Sequence, residues 1–345
     1  MMESASVYHG VDRIRSVVGA DAAVNWRWKA RIQSACASLP WLAEPAYYFL
    51  QRAFGRLRRP PDPFFTLKGC AELVIFLRNA GRPVEGARMM EVGTGRALDM
   101  PIGFFLCGSQ SVVTFDLHCY LKPGLVMASV RAMCAARDRV FKILAPAADE
   151  KLLRKRLEWL CSSPSCTELM QRANIQYRAP ADAANTGLPD RSIDVQMSYT
   201  VFEHIPRDTL QAILLEANRI LTPDGLVLHH IDPSDHFSHE DPSILPINFL
   251  RYSDDEWNRI AGNQFAYHNR IRAAEFADLY AECGHEILMW KPHIDAASQH
   301  AVENGFPLHP RFEKYSSDVL STVVLQVLSR PGPSQSQRYR KDGGK

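Results

Sequence analysis

The sequence of 345 residues lacks several features that would assign it to a special class of protein. No apolar run approaches the roughly 18 residues that a membrane-spanning helix needs. The first ten residues do not have the charged-then-apolar layout of a secretory signal. Forty Lys and Arg against 38 Asp and Glu leave a formal net charge of +2, which does not indicate a nucleic-acid partner. We therefore expect a soluble, cytoplasmic protein that binds no nucleic acid.

The cysteines do not have the spacing of zinc-binding motifs or of disulfide frameworks. None of the eight cysteines forms a C-x-x-C pair, and the nearest two, Cys161 and Cys166, are five residues apart. Reduced cysteines in a cytoplasm are the expectation. The composition, 46% hydrophobic and 23% charged, excludes a mainly disordered chain and allows a large buried core.

The chain divides into three regions by its patterning. Residues 1–85 show helical spacing without strand alternation and predict an N-terminal helical cap. Residues 86–330 predict the main domain, and within it the polar stretch 232–271 predicts an insertion near the active site. The polar end, 331–345, predicts a disordered tail.

Short apolar runs alternate with helical segments from residue 87 onward, which predicts an α/β fold with a parallel sheet and helices on both faces. The predicted strands are 88–92, 111–117, 174–178, 193–199, 226–231, 285–290 and 320–328. The predicted helices are 41–59, 66–79, 97–107, 125–145, 150–160, 209–221 and 272–282.

The most informative segment is Glu91-Val92-Gly93-Thr94-Gly95, where an acidic strand end runs into a Gly-x-Gly turn before a helix. Glycines there let the backbone approach a ligand and take positive φ. Asp116 ends the next strand, and the carboxyl ends of neighbouring parallel strands are where ligands bind. A carboxylate at that position can accept hydrogen bonds from both hydroxyls of a ribose.

Two kinds of nucleotide cofactor fit this pattern. A dinucleotide site prefers a third glycine, where this sequence has Leu98, and the carboxylate of Glu91 would repel a pyrophosphate. S-adenosylmethionine carries a cationic sulfonium and an ammonium group and has no phosphate. The charge of Glu91 therefore favours S-adenosylmethionine.

The sequence resembles the class I S-adenosylmethionine-dependent methyltransferases, of the methyltransferase type 11-like family, in four segments. The first is the glycine turn at 91–95, and the second is Asp116, which matches the ribose-binding acid. The third is Ala181-Asp182-Ala183 followed by the strand near Asp194. The fourth, Arg219 to Gly225, is similar to the R-x-L-x-P-G-G turn, with Asp224 replacing one glycine.

The resemblance implies a Rossmann-like, doubly wound sheet of seven strands with the last strand antiparallel. It also implies S-adenosylmethionine as cofactor, lying above the first two strands. The family pattern carries over to the residues present here, so that Gly93 and Gly95 would pass beneath the methionine part of the cofactor. Asp116 would hold the ribose and Asp182 the adenine amino group, while Ala183 would supply backbone contacts. Glu91 completes the predicted cofactor set.

Methyl transfer needs a base only where the acceptor must lose a proton, as a hydroxyl does. The segment 229–241, after the fifth strand, holds four histidines and four acids. His236 and His239 lie beyond the strand, in a predicted loop, and are the candidate bases, with Asp235 as an orienting acid. A solvated polar loop is the alternative. His229 and His230 are neighbours in a strand and predict satisfied, partly buried side chains.

No metal is expected, although one motif leaves the alternative open. Glu203-His204 resembles the end of the E-x-x-E-H motif of metal-dependent O-methyltransferases such as the ubiquinone-pathway enzymes. Here Thr200 stands in place of the first acid, which removes an oxygen ligand.

The amphipathic segment 47–59 fits a membrane-surface helix as well as a cap over the pocket. Of these two roles we favour the cap.

The predicted function is transfer of a methyl group from S-adenosylmethionine to a small-molecule or carbohydrate acceptor, at oxygen. A non-catalytic partner subunit that keeps the fold is one alternative. A nucleotide-cofactor dehydrogenase is another, disfavoured by Glu91 and Leu98. The sequence carries no recognisable code for the acceptor.

Overall fold

The computed structural model describes residues 25–39, 41–53 and 61–332. Its single sheet has seven strands, arranged in the order β3-β2-β1-β4-β5-β7-β6. The strands are β1 (Arg88–Val92), β2 (Ser111–Phe115), β3 (Ile175–Arg178), β4 (Ile193–Tyr199), β5 (Leu221–Ile231), β6 (His285–Ile294) and β7 (Thr322–Pro331). Strands β1 to β5 pair in parallel, and β7 is antiparallel to both β5 and β6. The predicted sheet, with its last strand antiparallel, is confirmed.

Helices cover the sheet and precede it. They are α1 (Trp26–Ala37), α2 (Ala43–Ala53), α3 (Phe64–Asn79), α4 (Asp99–Leu106), α5 (Pro123–Ala135), α6 (Arg137–Leu144), α7 (Glu150–Cys161), α8 (Cys166–Arg172), α9 (Arg207–Ile220), α10 (Asp254–Ala261), α11 (Ala273–Glu282), α12 (Ala296–Glu303) and α13 (Ser317–Leu320). The helix predicted over 125–145 is two helices, because the backbone leaves helical geometry at Ala136 (φ −123°, ψ 49°). The short helices α8, α10 and α12 were not predicted.

The alternation of side chains along β1 divides the core into two layers. Met89 packs on one face with α3 to α8, and Met90 packs on the other with α9 and α11. Helix α3 belongs to the first of these layers, where Leu67 and Leu73 are fully buried against the same cluster as Met89. The boundary proposed at residue 85 remains a prediction, and this helix contributes to the core of the sheet domain.

A third apolar cluster lies in the segment predicted as an insertion. Phe249, Trp257 and Phe237 pack there with Trp26 of α1. The carboxylate of Asp241 accepts a hydrogen bond from the backbone N–H of Trp26 at 2.9 Å. Segment 232–271 therefore packs in one apolar cluster with the N-terminal helix and with Phe312 and Leu320.

The cysteine expectation was wrong for one pair. Cys134, in the last turn of α5, and Cys161, at the end of α7, form a disulfide with their Cα atoms 5.7 Å apart. Helix packing brings the two residues together across 27 positions of sequence. Spacing along the chain therefore gave no sign of the bond.

The segment considered for membrane contact, 47–59, is described only as far as residue 53, because residues 54–60 lie outside the described residues. Residues 333–345 of the predicted tail also lie outside them. Helix α2 packs on the protein through Tyr47, whose ring stacks on Phe265 with centroids 4.3 Å apart. Phe49 on the same helix is exposed. Across the described ranges, no helix has the length and apolar character to cross a membrane.

Candidate active site

The turn after β1 has two glycines in different surroundings. Both have positive φ, +88° for Gly93 and +67° for Gly95, a region that favours glycine. A Cβ added to Gly93 would lie 2.4 Å from Cγ2 of Val201, whereas a Cβ on Gly95 would meet nothing within 4 Å. Gly93 is therefore closed in by the loop after β4, and Gly95 borders open space.

Asp116 holds the glycine turn in place from the end of β2. Its carboxylate accepts hydrogen bonds from the backbone N–H of Gly95 (2.9 Å) and of His118 (3.1 Å). Burial raises the pKa of this carboxyl group, and the same backbone donors oppose the rise. The predicted ribose ligand and the predicted glycine turn are thus in direct contact.

The segment carrying Asp182 and Ala183 joins this group through the backbone. The N–H of Ala181 donates to the carbonyl of Asp116 at 2.9 Å. The Asp182 carboxylate accepts a hydrogen bond from the N–H of Ala184 at 2.8 Å, and Ala183 is buried. The structure therefore brings together Gly93, Gly95, Asp116 and the 181–183 segment.

Glu91 lies beneath the turn. Its carboxyl group is buried and accepts a hydrogen bond from the hydroxyl of Thr114 at 2.5 Å. That hydroxyl also contacts the hydroxyl of Thr94, within the turn, at 2.5 Å. Burial raises the pKa of Glu91 to about 8, which makes the uncharged form abundant near neutral pH.

Helix α2 reaches the turn from outside. Glu44 forms an ion pair with Arg96, immediately after the turn, at 2.8 Å, and a longer pair with Lys122 at 3.5 Å. The ring of Tyr48 lies against the same two cations, 4.8 Å and 5.0 Å from its centroid. The N-terminal region thus contacts the loops at the carboxyl end of the sheet.

A second polar group follows β5, and its acid is not the one predicted. Asp235 is fully buried, and its carboxylate bonds to the N–H of Phe237 (2.9 Å) and the side-chain amide of Asn248 (3.1 Å). Asp232 instead faces the histidines, with its Oδ2 3.3 Å from Nε2 of His236 and 3.5 Å from Nε2 of His239. The acid beside the histidines is therefore Asp232, whose Oδ1 accepts hydrogen bonds from Ser234, whereas both oxygens of Asp235 accept hydrogen bonds from other groups.

Two further histidines join His236, and one of them was not predicted. The His268 ring lies edge-on to His236, with centroids 4.0 Å apart, and 4.6 Å from His204. Asn269 brings this segment into place by donating to the carbonyls of Phe202 (2.7 Å) and Ile205 (2.8 Å). We call His204, His236, His239, His268 and Asp232 the histidine cluster. No local pattern marked His268, because the two histidines whose rings it contacts, His236 and His204, lie 32 and 64 positions away in sequence.

The electrostatics of the cluster follow from its burial. Burial opposes ionisation of Asp232, but the charges of His236 and His239 and hydrogen bonds from His236 and Ser234 hold its pKa below the usual value. Burial, reinforced by the charge of Asp232, raises the pKa of Glu203 well above its usual range. Neither oxygen of Glu203 accepts a hydrogen bond from a side chain in the described ranges.

Among the residues that the structure describes, two sets of three side chains could hold a metal ion, and both include His236. One set is His204, His236 and His268, and the other is Asp232, His236 and His239. Within each set the candidate ligand atoms all lie within 4.8 Å of one another. Glu203, the other residue of the E-H pair, belongs to neither set.

The remaining polar residues singled out in the sequence have structural roles. The Nδ1 of His229 lies 2.5 Å from the Tyr280 hydroxyl, and His230 stacks on Tyr199 with centroids 4.4 Å apart. His230 also contacts the side-chain amide of Gln326 through Nδ1 at 3.2 Å, whereas His229 is fully buried and its Nε2 has no hydrogen bond within the described residues, contrary to the prediction of a satisfied, partly buried side chain. Asp194 binds Arg82 at 2.8 Å and Arg88 at 3.0 Å and does not contact the cluster.

The histidine cluster and the glycine turn lie on the same edge of the sheet. Strand β4 lies between β1 and β5, and all three are parallel. The N–H of Thr200 donates to the carbonyl of His230 at 2.8 Å, and the next residue, Val201, packs against Gly93. The loop after β4 therefore touches the glycine turn on one side and leads into the histidine cluster on the other.

Comparison with known proteins agrees with this architecture over part of the chain. Residues 153–229 match the sequence profile of a family described as "Methyltransferase domain". No curated protein sequence matches the chain.

Solved structures with a similar arrangement are distant in sequence. Magnesium protoporphyrin IX methyltransferase from Synechocystis PCC 6803 is 12% identical (76% of this chain, 81% of that one, TM-score 0.39). A Mesorhizobium loti S-adenosylmethionine-dependent methyltransferase is 15% identical (76% and 99%, TM-score 0.38). A putative methyltransferase from Haloferax volcanii, solved with the Trm112 activator, is also 15% identical (79% and 94%, TM-score 0.39).

The seven strands, the antiparallel last strand and the glycine turn after β1 are those that the resemblance implies. The matched segment runs from α7 through β3 and β4 into β5, across the middle of the sheet. Over residues 153–229 the chain matches a methyltransferase domain, and its seven-stranded sheet is the one that the resemblance to class I S-adenosylmethionine-dependent methyltransferases implies.

Proposed function

We propose that this protein transfers a methyl group from S-adenosylmethionine to the oxygen of a small-molecule or carbohydrate acceptor. The observation that carries the proposal is the position of two polar groups at one edge of the sheet. The glycine turn with Asp116 and the 181–183 segment forms the first, and the histidine cluster forms the second. Val201 packs against Gly93 between them.

The first group has the chemistry of a cofactor site. Gly95 faces open space where a ligand can approach the backbone. Asp116 has carboxylate oxygens for ribose hydroxyls, and Asp182 and Ala183 lie close by for the adenine ring. Glu91, beneath the turn, would supply negative charge under the cationic end of the cofactor.

The second group suits an acceptor that must lose a proton. Methyl transfer is a displacement at carbon, and alignment of nucleophile, methyl group and sulfur supplies much of the rate. A hydroxyl becomes a good nucleophile as its proton leaves, and an imidazole paired with a carboxylate can accept that proton. His236 and His239, both within 3.5 Å of Asp232, are the proposed proton acceptors.

Titration calorimetry with S-adenosylmethionine and with S-adenosylhomocysteine tests the cofactor assignment. We expect one site per chain, and absence of binding to folded protein would contradict the proposal. Labelled S-adenosylmethionine, incubated with cell extracts and analysed by mass spectrometry, would then reveal the acceptor. Label on nitrogen or carbon in the product would refute the oxygen assignment.

Two alternatives make different predictions in the same assays. A non-catalytic partner subunit would bind the cofactor without transferring label to any acceptor. A dehydrogenase would enhance the fluorescence of NADH on mixing. Leu98, at the position of the third glycine of a dinucleotide motif, is fully buried, and a pyrophosphate above Glu91 would face a carboxyl group.

A further inference from the structure

The histidine cluster contains more ligand groups than a general base needs. A base requires one imidazole and one orienting carboxylate, and His239 with Asp232 already forms that pair at 3.5 Å. Three further imidazoles, those of His204, His236 and His268, converge beside it with ring centroids 4.0 to 4.9 Å apart. Nothing in the proposed proton transfer uses His204 or His268.

The surroundings of these three rings are those of metal-binding histidines. A histidine ligand usually donates its second ring N–H to a carbonyl or a carboxylate, which orients the ring. Nδ1 of His204 lies 2.9 Å from the carbonyl of Tyr267, and Nε2 of His236 lies 3.3 Å from Asp232. Nε2 of His268 is buried without a hydrogen-bond partner in the described ranges. This buried nitrogen is available to bind an ion.

We propose that His204, His236 and His268 form a three-histidine site for a divalent transition-metal ion of the zinc type. Three neutral imidazoles with one open position form the common catalytic zinc arrangement. Zn–N distances of about 2.0–2.1 Å in a tetrahedron put ligand nitrogens about 3.4 Å apart. The candidate atoms lie within 4.8 Å of one another, so small ring movements close the site.

The access and the charge around the site are compatible with an ion. His204 is exposed, His236 is half-buried and His268 is buried, so the three side chains extend from the surface into the protein. The carboxyl groups of Asp232 and Glu203 are nearby. Arg272 is a buried cation acting on His268, but its guanidinium also donates to the carbonyls of Pro233 (2.7 Å) and Arg270 (3.2 Å).

The consequence for chemistry rests on the proposed function. An ion at this site would bind the acceptor oxygen in its open position and make the hydroxyl more acidic. His239 with Asp232 would then receive the proton, and His236 would serve as a ligand. The sequence left a metal at the Glu203-His204 motif open as an alternative, and the site proposed here shares only His204 with that motif.

The test measures binding of Zn²⁺ and Co²⁺ to the full chain without cofactor or acceptor. We expect one ion per chain by calorimetry and visible absorption bands of four-coordinate Co²⁺. His204→Gln should weaken binding at least tenfold and remove those bands. Because His204 is exposed, this variant is expected to fold, which circular dichroism and thermal melting would check. His268→Gln should have the same effect where it folds.

The matched control is His300→Gln, which changes an exposed histidine on α12 and should bind Zn²⁺ as the wild type does. No binding by the folded wild type, or wild-type affinity in His204→Gln, would overturn the proposal. Binding lost in His239→Gln but kept in His204→Gln would assign the ion to Asp232, His236 and His239 and also overturn it. Titrating the same samples with S-adenosylmethionine separates failure of the metal site from failure of the proposed function. Protein that binds S-adenosylmethionine but no ion would overturn the metal site and leave the proposed function standing.

Discussion

The two polar groups at the sheet edge are built in different ways. The glycine turn, Asp116 and the 181–183 segment hold one another mainly through backbone N–H and carbonyl groups at strand ends. The histidine cluster is held by side chains that come from three separate segments, after β4, after β5 and before α11. A site made from backbone at strand ends follows from local pattern, whereas a site made from converging side chains depends on how distant loops pack.

This difference predicts how each region responds to substitution. Changes in the first region should alter cofactor affinity and local stability, and changes in the second should alter turnover with little effect on cofactor affinity. Four predictions test that separation, and they are given from the largest expected effect to the smallest.

His236→Ala should lower turnover by about 10²–10⁴-fold, the usual contribution of acid–base groups. His236 contacts Asp232 and belongs to both candidate ligand sets, so it is central to the cluster in either role. The measurement is the rate of labelled methyl transfer to the acceptor found in the extract screen. Affinity for S-adenosylmethionine should stay within about twofold by calorimetry, on the scale where tenfold is 1.4 kcal/mol.

His300→Ala serves as the control for this loss, since that exposed histidine lies on α12 outside the cluster. Turnover of His236→Ala within a few-fold of wild type would mean that the acceptor needs no activation. The contrast between the two regions would then lose its chemical basis.

Asp116→Ala should weaken S-adenosylmethionine binding by about ten- to hundredfold. Hydrogen bonds that involve a charged group contribute about 1.5–3 kcal/mol, and the ribose would lose its acceptor. Calorimetry measures the dissociation constant, with Asp190→Ala as the control, because Asp190 is an exposed acid paired with Arg219. An unchanged dissociation constant in folded Asp116→Ala would remove this acid from the cofactor site.

Gly93→Ala should destabilise the protein more than Gly95→Ala does. Both positions have positive φ, which costs an alanine about 1–2 kcal/mol. At Gly93 the new Cβ would also lie 2.4 Å from Val201, and such overpacking adds about 1–3 kcal/mol. Urea unfolding of the two variants gives the difference directly. Equal losses would show that the loop after β4 does not close on the turn.

Glu91 should make cofactor binding depend on pH. Its pKa is raised to about 8 by burial, so at pH 7 about nine in ten molecules carry the proton. A cationic ligand stabilises the ionised form and lowers this pKa, so binding releases a proton. Affinity should therefore rise as the pH increases toward 8, by at most about tenfold per pH unit.

Calorimetry in buffers of different ionisation enthalpy counts the released protons, and we expect up to one per cofactor at pH 7. Glu91→Gln keeps the size of the side chain and should abolish the buffer dependence. Identical heats for the wild type in every buffer would place Glu91 outside the electrostatic reach of the cofactor.

Much of the sheet could be predicted, and the reason is visible in its strands. Strands β1 and β4 have the predicted bounds, because their short, largely apolar runs fit strands that are buried on both faces. Strand β5 begins at Leu221 instead of residue 226, since residues 222–225 form an irregularity between two paired stretches. Helix α8 was missed, because its seven residues are too few to show a helical period.

Within the candidate site, the predicted cofactor residues Gly93, Gly95, Asp116 and Asp182 lie together, and their roles toward a cofactor remain predictions. His236 and His239 lie in one cluster, and their catalytic role is likewise a prediction. The orienting acid was misassigned between Asp232 and Asp235. Both follow the same strand, and only the tertiary structure decides which carboxylate faces the histidines. Asp232 has one oxygen toward them, whereas the two oxygens of Asp235 bind Phe237 and Asn248.

The sequence by itself determined the alternation of strands and helices, the glycine turn and the acid at the end of β2. These features depend on periodicity, on the conformational freedom of glycine and on the rule that parallel strands end at one edge. Only the tertiary structure decided that His268 meets His204 and His236, that Cys134 reaches Cys161, and that Asp232 faces the histidines. Each of these contacts joins side chains through the packing of several elements, and no local period or propensity encodes that packing.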